Sequence, residues 1–160
     1  MKIPELTFDF YKVDDREHNF KFGKLYLRTK DKYLKFHATS GLHGYQRLID
    51  CGKRGRGGIP PCELVVILSY TVSTKPIPMP KTRGVEGNFY QIFPHLNQVQ
   101  TSYGVYTRGD FGIHQDAGIK GTAGCIGITK GMHWKAFQME MQGLVTQGVE
   151  KINLFVPMGY

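Results

Sequence analysis

His114 and Cys125 stand eleven residues apart, in a stretch that runs Arg108-Gly109-Asp110-Phe111-Gly112-Ile113-His114-Gln115-Asp116 and then Gly121-Thr122-Ala123-Gly124-Cys125-Ile126-Gly127-Ile128. The pairing reads as a nucleophile and its base. A thiol with an ordinary pKa near 8.5 is only about 3% thiolate at pH 7, so an attacking cysteine needs a base or a positive charge beside it. A histidine can be that partner. Gly121 and Gly124 let the backbone turn sharply and bring consecutive N–H groups close to a bound carbonyl, as an oxyanion site requires, and they leave room for substrate. The chemistry implied is acyl transfer through a thioester.

His114 followed by Thr122-Ala123-Gly124-Cys125 resembles the signature of the L,D-transpeptidases of the YkuD type, bacterial cell-wall enzymes with a histidine, a variable stretch and then Ser/Thr-His-Gly-Cys. The shortened form found here, Ile113-His114-Gln115-Asp116 and then Gly121-Thr122-Ala123-Gly124-Cys125-Ile126, is similar to that of small divergent branches that include phage-encoded and secretion-delivered proteins. Carried over by position, the resemblance implies Cys125 as nucleophile and His114 as general base. It implies that the backbone carbonyl of Gln115 holds the imidazole tautomer, and that the N–H groups of Ala123, Gly124 and Cys125 form the oxyanion site. The implied acyl donor is a peptidoglycan stem peptide at an L-to-D bond, and no metal or cofactor is implied. Ala123 stands where the family usually has a histidine, Gly127 where an arginine or asparagine often follows, and the His-to-Cys gap is shorter than in most members.

Arg108 and Thr122 complete the expected site as substrate-binding residues. The guanidinium fork of Arg108 suits a substrate carboxylate, and the family's arginine after the cysteine is missing; a surface ion pair is the equal alternative. Cys51 and Cys62 form no CxxC or Cys/His cluster, which argues against structural zinc and against a disulfide framework. They read as two free thiols, with a bridge across the short loop as the minor alternative. His18, His37, His43, His95 and His133 have no partner at metal-ligand spacing and read as structural or surface residues. The run from Cys51 to Gly58 carries Lys53, Arg54 and Arg56 on glycine-rich backbone; it lacks the end of a phosphate loop and reads first as a solvated turn, second as an anion grip.

The elements that must position these groups are mostly strands. Twenty glycines among 160 residues favour many turns, and a chain of this length buries a self-sufficient core, so one domain is expected over residues 1–160. Alternation predicts strands over 7–13, 24–29 and 33–38, the last two joined by a hairpin at Lys30-Asp31-Lys32, with a polar turn over 14–19. The apolar, β-branched run 64–72 predicts a buried central strand. Pro76, Pro78 and Pro80 exclude ladder pairing over 73–88, leaving a long surface loop that is either a lid over the cysteine or a plain excursion. Strands over 88–93 and 102–107 carry the chain to the motif, where Phe111 and Ile113 face the core and His114 faces an accessible side. Trp134, Phe137, Met141, Leu144 and Val145 lie at helical spacing, so 131–148 is the one main helix, Gly148 its stop, and 151–156 a final strand. The fold class is therefore mostly β with one main α-helix, and the resemblance implies a β-sandwich or barrel-like L,D-transpeptidase fold.

A formal charge of +8 implies a polyanionic setting, whether nucleic acid, teichoic acid, anionic lipid or carboxylate-bearing wall, and charge alone does not choose. The N-terminus has no charged region followed by an apolar run, and no stretch approaches the roughly 20 apolar residues of a membrane span. The expectation is synthesis as a cytoplasmic chain that reaches the wall or periplasm by external delivery or lysis. Three functions stay open: transfer to an amine, hydrolysis as an L,D-carboxypeptidase or endopeptidase, and a non-catalytic basic module that binds polyanions through its surface.

Overall fold

The structure, a computed structural model, describes residues 4–11, 15–17, 20–101, 104–116 and 121–158. In chain order the strands are β1 (Glu5–Asp9), β2 (Asp15–Glu17), β3 (Phe20–Arg28), β4 (Tyr33–Leu42), β5 (Tyr70–Ser73), β6 (Ile77–Met79), β7 (Gly87–Phe93), β8 (Leu96–Thr101), β9 (Gly104–Arg108), β10 (Gly112–Gln115), β11 (Gly121–Ile128) and β12 (Lys151–Phe155). Helix α1 (Gly131–Thr146) lies between the last two. Eight strands close a barrel in the order β1, β12, β5, β7, β10, β11, β4, β3, with β3 pairing back onto β1. The protein is mostly β with a single helix among the described residues.

Inward-facing apolar residues of the barrel strands fill it, with plain alternation along β1, β5 and β12. Leu6 pairs with Leu27, Leu25 with Phe36, Ile113 with Tyr90, Val72 with Ile92 and Ile152 with Val72. All of these are buried, and the registers keep them on one face, so a slip of one residue would turn the whole set outward. Helix α1 buries Trp134, Phe137, Met141 and Leu144, spaced three and four apart. Its Phe137 ring meets the rings of Phe36 and Tyr90 edge-on, so the helix packs on inward-pointing residues. Gly148, at φ +80, adopts the left-handed conformation expected just beyond the helix.

The hairpin of 24–29 and 33–38 is present as the core of β3 and β4, the helix and the final strand lie where periodicity puts them, and β7 covers 88–93. Four expectations are corrected. The polar stretch 14–19 contains β2, which pairs with Phe20–Phe22 of β3; residues 18–19, like 12–14, lie outside the described residues. Residues 64–69 are turns, with only Tyr70–Ser73 in a strand, and Val66 and Leu68 are 89% and 96% exposed. An unbroken apolar run has no period to separate strand from apolar loop, and a closed barrel has no central place left to fill. Local bonds from Leu64 N–H to the Pro61 carbonyl and from Ile67 N–H to the Cys62 carbonyl fold it into turns instead. Within 73–88, Ile77–Met79 does pair, with Gly87–Phe89, because β6 has no partner beyond β7 among the described residues and Pro78 sits on an edge, where a missing donor costs no ladder bond. Finally, the strand expected over 102–107 is β9 of a separate hairpin with β8; residues 102 and 103 lie outside the description.

Candidate active site

Strands β7, β10 and β11 lie side by side, and their registers place the reacting groups. Ile113 pairs with Ile126 and His114 with Gly127 across the parallel β10–β11 ladder, so Cys125 falls opposite Gly112. Gly112 pairs with Gln91 and Ile113 with Tyr90 on the other side, so Phe89 falls opposite His114. Because Ile113, Ile126 and Tyr90 point into the barrel, Cys125, His114, Phe89 and Gln91 share its outer face. His114 and Cys125 are thus diagonal neighbours on adjacent strands, a relation that separates α-carbons by roughly 7–8 Å. Among the described residues no hydrogen bond joins them: His114 Nδ1 goes to the Gln115 carbonyl and the Cys125 S–H to that of Asp110.

Cys125 sits in a bulge. Gly121 pairs with Leu42 and Ile126 with Ser40, so residues 122–125 of β11 stand opposite Gly41 alone. Such an irregularity takes backbone N–H groups out of the ladder and re-aims side chains. Two hydroxyls pin it: Ser40 Oγ donates to the Cys125 carbonyl at 2.8 Å, and Thr122 Oγ1 donates to the same oxygen. Ser40 Oγ in turn accepts from Ile59 N–H at 2.8 Å, and Thr122 Oγ1 from Gly41 N–H at 3.2 Å. Gly124 has φ +116, which a side chain would strain, and a β-carbon there would collide with Arg108 Nη2. Thr122, expected to bind substrate, is buried and holds the backbone of Cys125 instead. Ala123 belongs to the bulged strand, next to Gly124.

Arg108 is neither a surface ion pair nor open to a carboxylate. It is 2% exposed, and its guanidinium donates to the carbonyls of Cys51, Gly57 (3.0 Å) and Gly58 (3.5 Å) while lying over the Phe111 ring. The basic run 51–58 is therefore half structural. Its ends are buried and clamped beneath the bulge, while Arg54 and Arg56 at its tip are exposed. Asp50, fully buried, takes Arg47 Nε at 3.0 Å and Lys53 Nζ at 2.9 Å. Burial alone would raise its carboxyl, but these two cations prevail and hold it below the usual range.

Electrostatics fix the resting protonation. Burial pushes the Cys125 thiol up to about 11; the Gly112 N–H and the Arg108 charge oppose the rise, and Asp110 adds to it. Its S–H donates to the Asp110 carbonyl at 3.6 Å. Burial pushes the His114 imidazole below its usual range, partly offset by the hydrogen bond between Nδ1 and the Gln115 carbonyl at 2.7 Å. A carbonyl only accepts, so Nδ1 carries the proton and Nε2 of the neutral ring holds the lone pair. The site rests as a thiol and a neutral imidazole. His114 is 4% exposed, which corrects the expectation of an accessible base: its strand faces outward, but the imidazole is buried, with the Phe89 ring stacked beside it.

Sequence reading missed Ser40, Phe89 and Asp110. Ser40 lies in a run of small residues ending a strand, and its bond to residue 125 spans 85 positions. Asp110, at φ +56, marks the sharp turn that aims its carbonyl at the sulfur. Cys51 and Cys62 are free and buried, and burial raises both thiols, Cys51 to about 12. His37 and His133 are joined through the His37 N–H to His133 Nδ1, away from the cysteine. Among the described residues no three His, Cys, Asp or Glu side chains gather to hold a metal ion. Nor, among the described residues, is any helix long and apolar enough to cross a membrane. Comparison with known protein families, characterised proteins and solved structures finds no match.

Proposed function

We propose that the chain is an L,D-transpeptidase-like cysteine acyltransferase that acts on peptidoglycan stem peptides at the bacterial cell wall. The observation that carries the reading is the bulge at Cys125 beside an imidazole whose Nδ1 is held by the Gln115 carbonyl, with both side chains on one face. In the reaction, Nε2 of His114 takes the thiol proton as sulfur adds to the peptide carbonyl. The oxyanion is met by N–H groups of the bulge at Ala123, Gly124 and Cys125. Collapse expels the peptide amine, which takes its proton from the imidazolium and leaves a thioester on Cys125. A second amine then attacks the thioester, gives its proton to His114 and regenerates the thiol. Water in place of that amine yields the shortened acid, the L,D-carboxypeptidase outcome. A high resting thiol pKa fits this order, with the proton leaving during attack rather than before it.

Incubation with a tetrapeptide-stem substrate and mass spectrometry tests the reading. The expected result is an acyl adduct on Cys125 and cross-linked or amino-acid-exchanged product, both lost in Cys125→Ser and His114→Ala. The losses should not add, since the two groups serve one step. Unchanged substrate together with tight, salt-sensitive binding to polyanions would replace this reading with a binding module, for which the exposed Arg54 and Arg56 and the formal charge of +8 would account.

A further inference from the structure

The Phe89 ring lies over Gly112, one of the two glycine positions of the outer face that border both nucleophile and base. The β7–β10–β11 registers make a grid in which Gln91, Gly112 and Cys125 form one row and Phe89, His114 and Gly127 the next. The Phe89 ring stacks on the His114 imidazole, with centroids 6.2 Å apart and planes 17° from parallel. It also leans diagonally onto Gly112, where a β-carbon would fall among its ring atoms, so only glycine allows the ring to lie down there. Phe89 is 8% exposed and His114 4%, although both stand on the outside of the barrel. The ring thus lies against a buried imidazole, and it borders Gly112, whose N–H faces the Cys125 sulfur.

We propose that Phe89 is the positioning residue of the catalytic base: its ring, seated on Gly112, holds the His114 imidazole in plane and dry beside Cys125. The assignment rests on the acyltransferase reading for its consequence in turnover, but not for its physical content. The Nδ1 bond to the Gln115 carbonyl fixes one edge of the imidazole; a single bond leaves the ring free to rock about it, and the flat aromatic face removes that freedom. The stack also excludes solvent from the face that would otherwise be hydrated. Among the described residues, the charged and titratable groups that these strands bring to His114 are few. Asp116, at the end of β10, abuts Gly127, with its Cβ 3.0 Å from the place of a β-carbon there, and β11 contributes the Cys125 thiol. Strand β7 contributes only uncharged Phe89 and Gln91. Removal of the ring therefore acts on His114 through hydration and orientation, with no charge deleted.

The test uses the full chain as wild type, Phe89→Ala and Phe89→Leu. The His114 titration is followed by proton NMR of the imidazole, and turnover of a tetrapeptide stem is measured against pH. In Phe89→Ala the His114 pKa should rise toward the ordinary histidine value, and the acid limb of the rate profile should move up with it. The kcat should fall on the order of 10- to 100-fold with KM little changed, because orientation of a reacting group is lost rather than binding. Phe89→Leu, which restores an apolar cover without a flat face, should recover the pKa more fully than kcat. A His114 titration unchanged in both variants overturns the proposal, whatever the activity. Wild type without turnover, but with the NMR shift present in Phe89→Ala, would sink the acyltransferase reading and leave the Phe89 assignment standing.

Discussion

At Cys125 burial holds the sulfur as a thiol, and three neighbours act on it in different directions. Burial and Asp110 raise its pKa to about 11 while the Gly112 N–H and Arg108 pull it down. With that value about one thiol in ten thousand is ionised at pH 7. Alkylation of Cys125 by iodoacetamide should then be far slower at pH 7 than that of a free cysteine, and should climb about tenfold per pH unit toward the thiol pKa. A rate that levels off below pH 9 would instead reveal a preformed thiolate–imidazolium pair. Cys51→Ser and Cys62→Ser should leave turnover nearly intact, since both thiols are buried away from a base. The sign at His114 is opposite to that at the thiol. A base must be neutral to accept a proton, and its pKa is lowered by burial, so turnover should persist below pH 6.5 and fail only further down. Folding stability carries the matching signature. The unfolded chain binds the His114 proton more readily than the folded one, so this group costs nothing above about pH 6.5 and destabilises the fold progressively as pH falls below it.

The bulge of β11 is the element that turns a barrel strand into a site, and its anchors come from elsewhere in the chain. Ser40→Ala and Thr122→Val each remove one of two hydroxyl donors to the Cys125 carbonyl, and each should lower stability by about 1–2 kcal/mol in urea unfolding. The double variant should cost more than the sum, because only then does the carbonyl lose both hydroxyls. Strict additivity would mean that the two hydroxyls do not share one acceptor. Nothing in the sequence announces this arrangement. Ser40 stands in β4, and the bond that matters links positions 40 and 125. The elements that were legible were those with a period: the alternating strands at 24–29 and 33–38, and the three-and-four spacing of Trp134, Phe137, Met141 and Leu144. The run 64–69 had hydrophobicity without a period, and the closed barrel turned it into loop. His114, Cys125 and Gly124 could be picked out by residue type and spacing and Gln115 only through the resemblance, whereas Phe89 looked like any aromatic residue in a strand until the β7–β10 register set it against His114. Arg108 was legible as a residue of consequence. Its role beneath Gly124 was not, since its acceptors are backbone carbonyls from the loop 51–58.

For the whole molecule, closure and filling are separate problems solved by the two ends of the chain. Strand β1 joins β3 on one side and β12 on the other, so the barrel is complete only when the first and last strands meet. The residues they turn inward do not fill it alone, and α1 supplies Trp134 and Phe137 against Phe36 and Tyr90. Phe137 is 0% exposed; its ring lies 5.5 Å from Phe36 and 5.3 Å from Tyr90, both edge-on, and 5.9 Å from Trp134. Phe137→Ala should therefore leave a cavity at the meeting point of three rings and cost about 3–5 kcal/mol. That is a large share of the roughly 5–15 kcal/mol that holds a domain together, so the variant should unfold at a markedly lower urea concentration. If helix and barrel form one cooperative unit, circular dichroism of the helix and fluorescence of Trp134 should still fall together, with the slope of the transition unchanged. Separate transitions would show that the helix can leave the barrel. The site gives a second measure of the same coupling. Tyr90 faces the helix and Phe89, its neighbour on β7, faces His114, so a cavity at Phe137 that lets Tyr90 shift should also disturb the His114 titration. A Phe137→Ala variant that loses stability and keeps the wild-type His114 titration would confine the damage to the core.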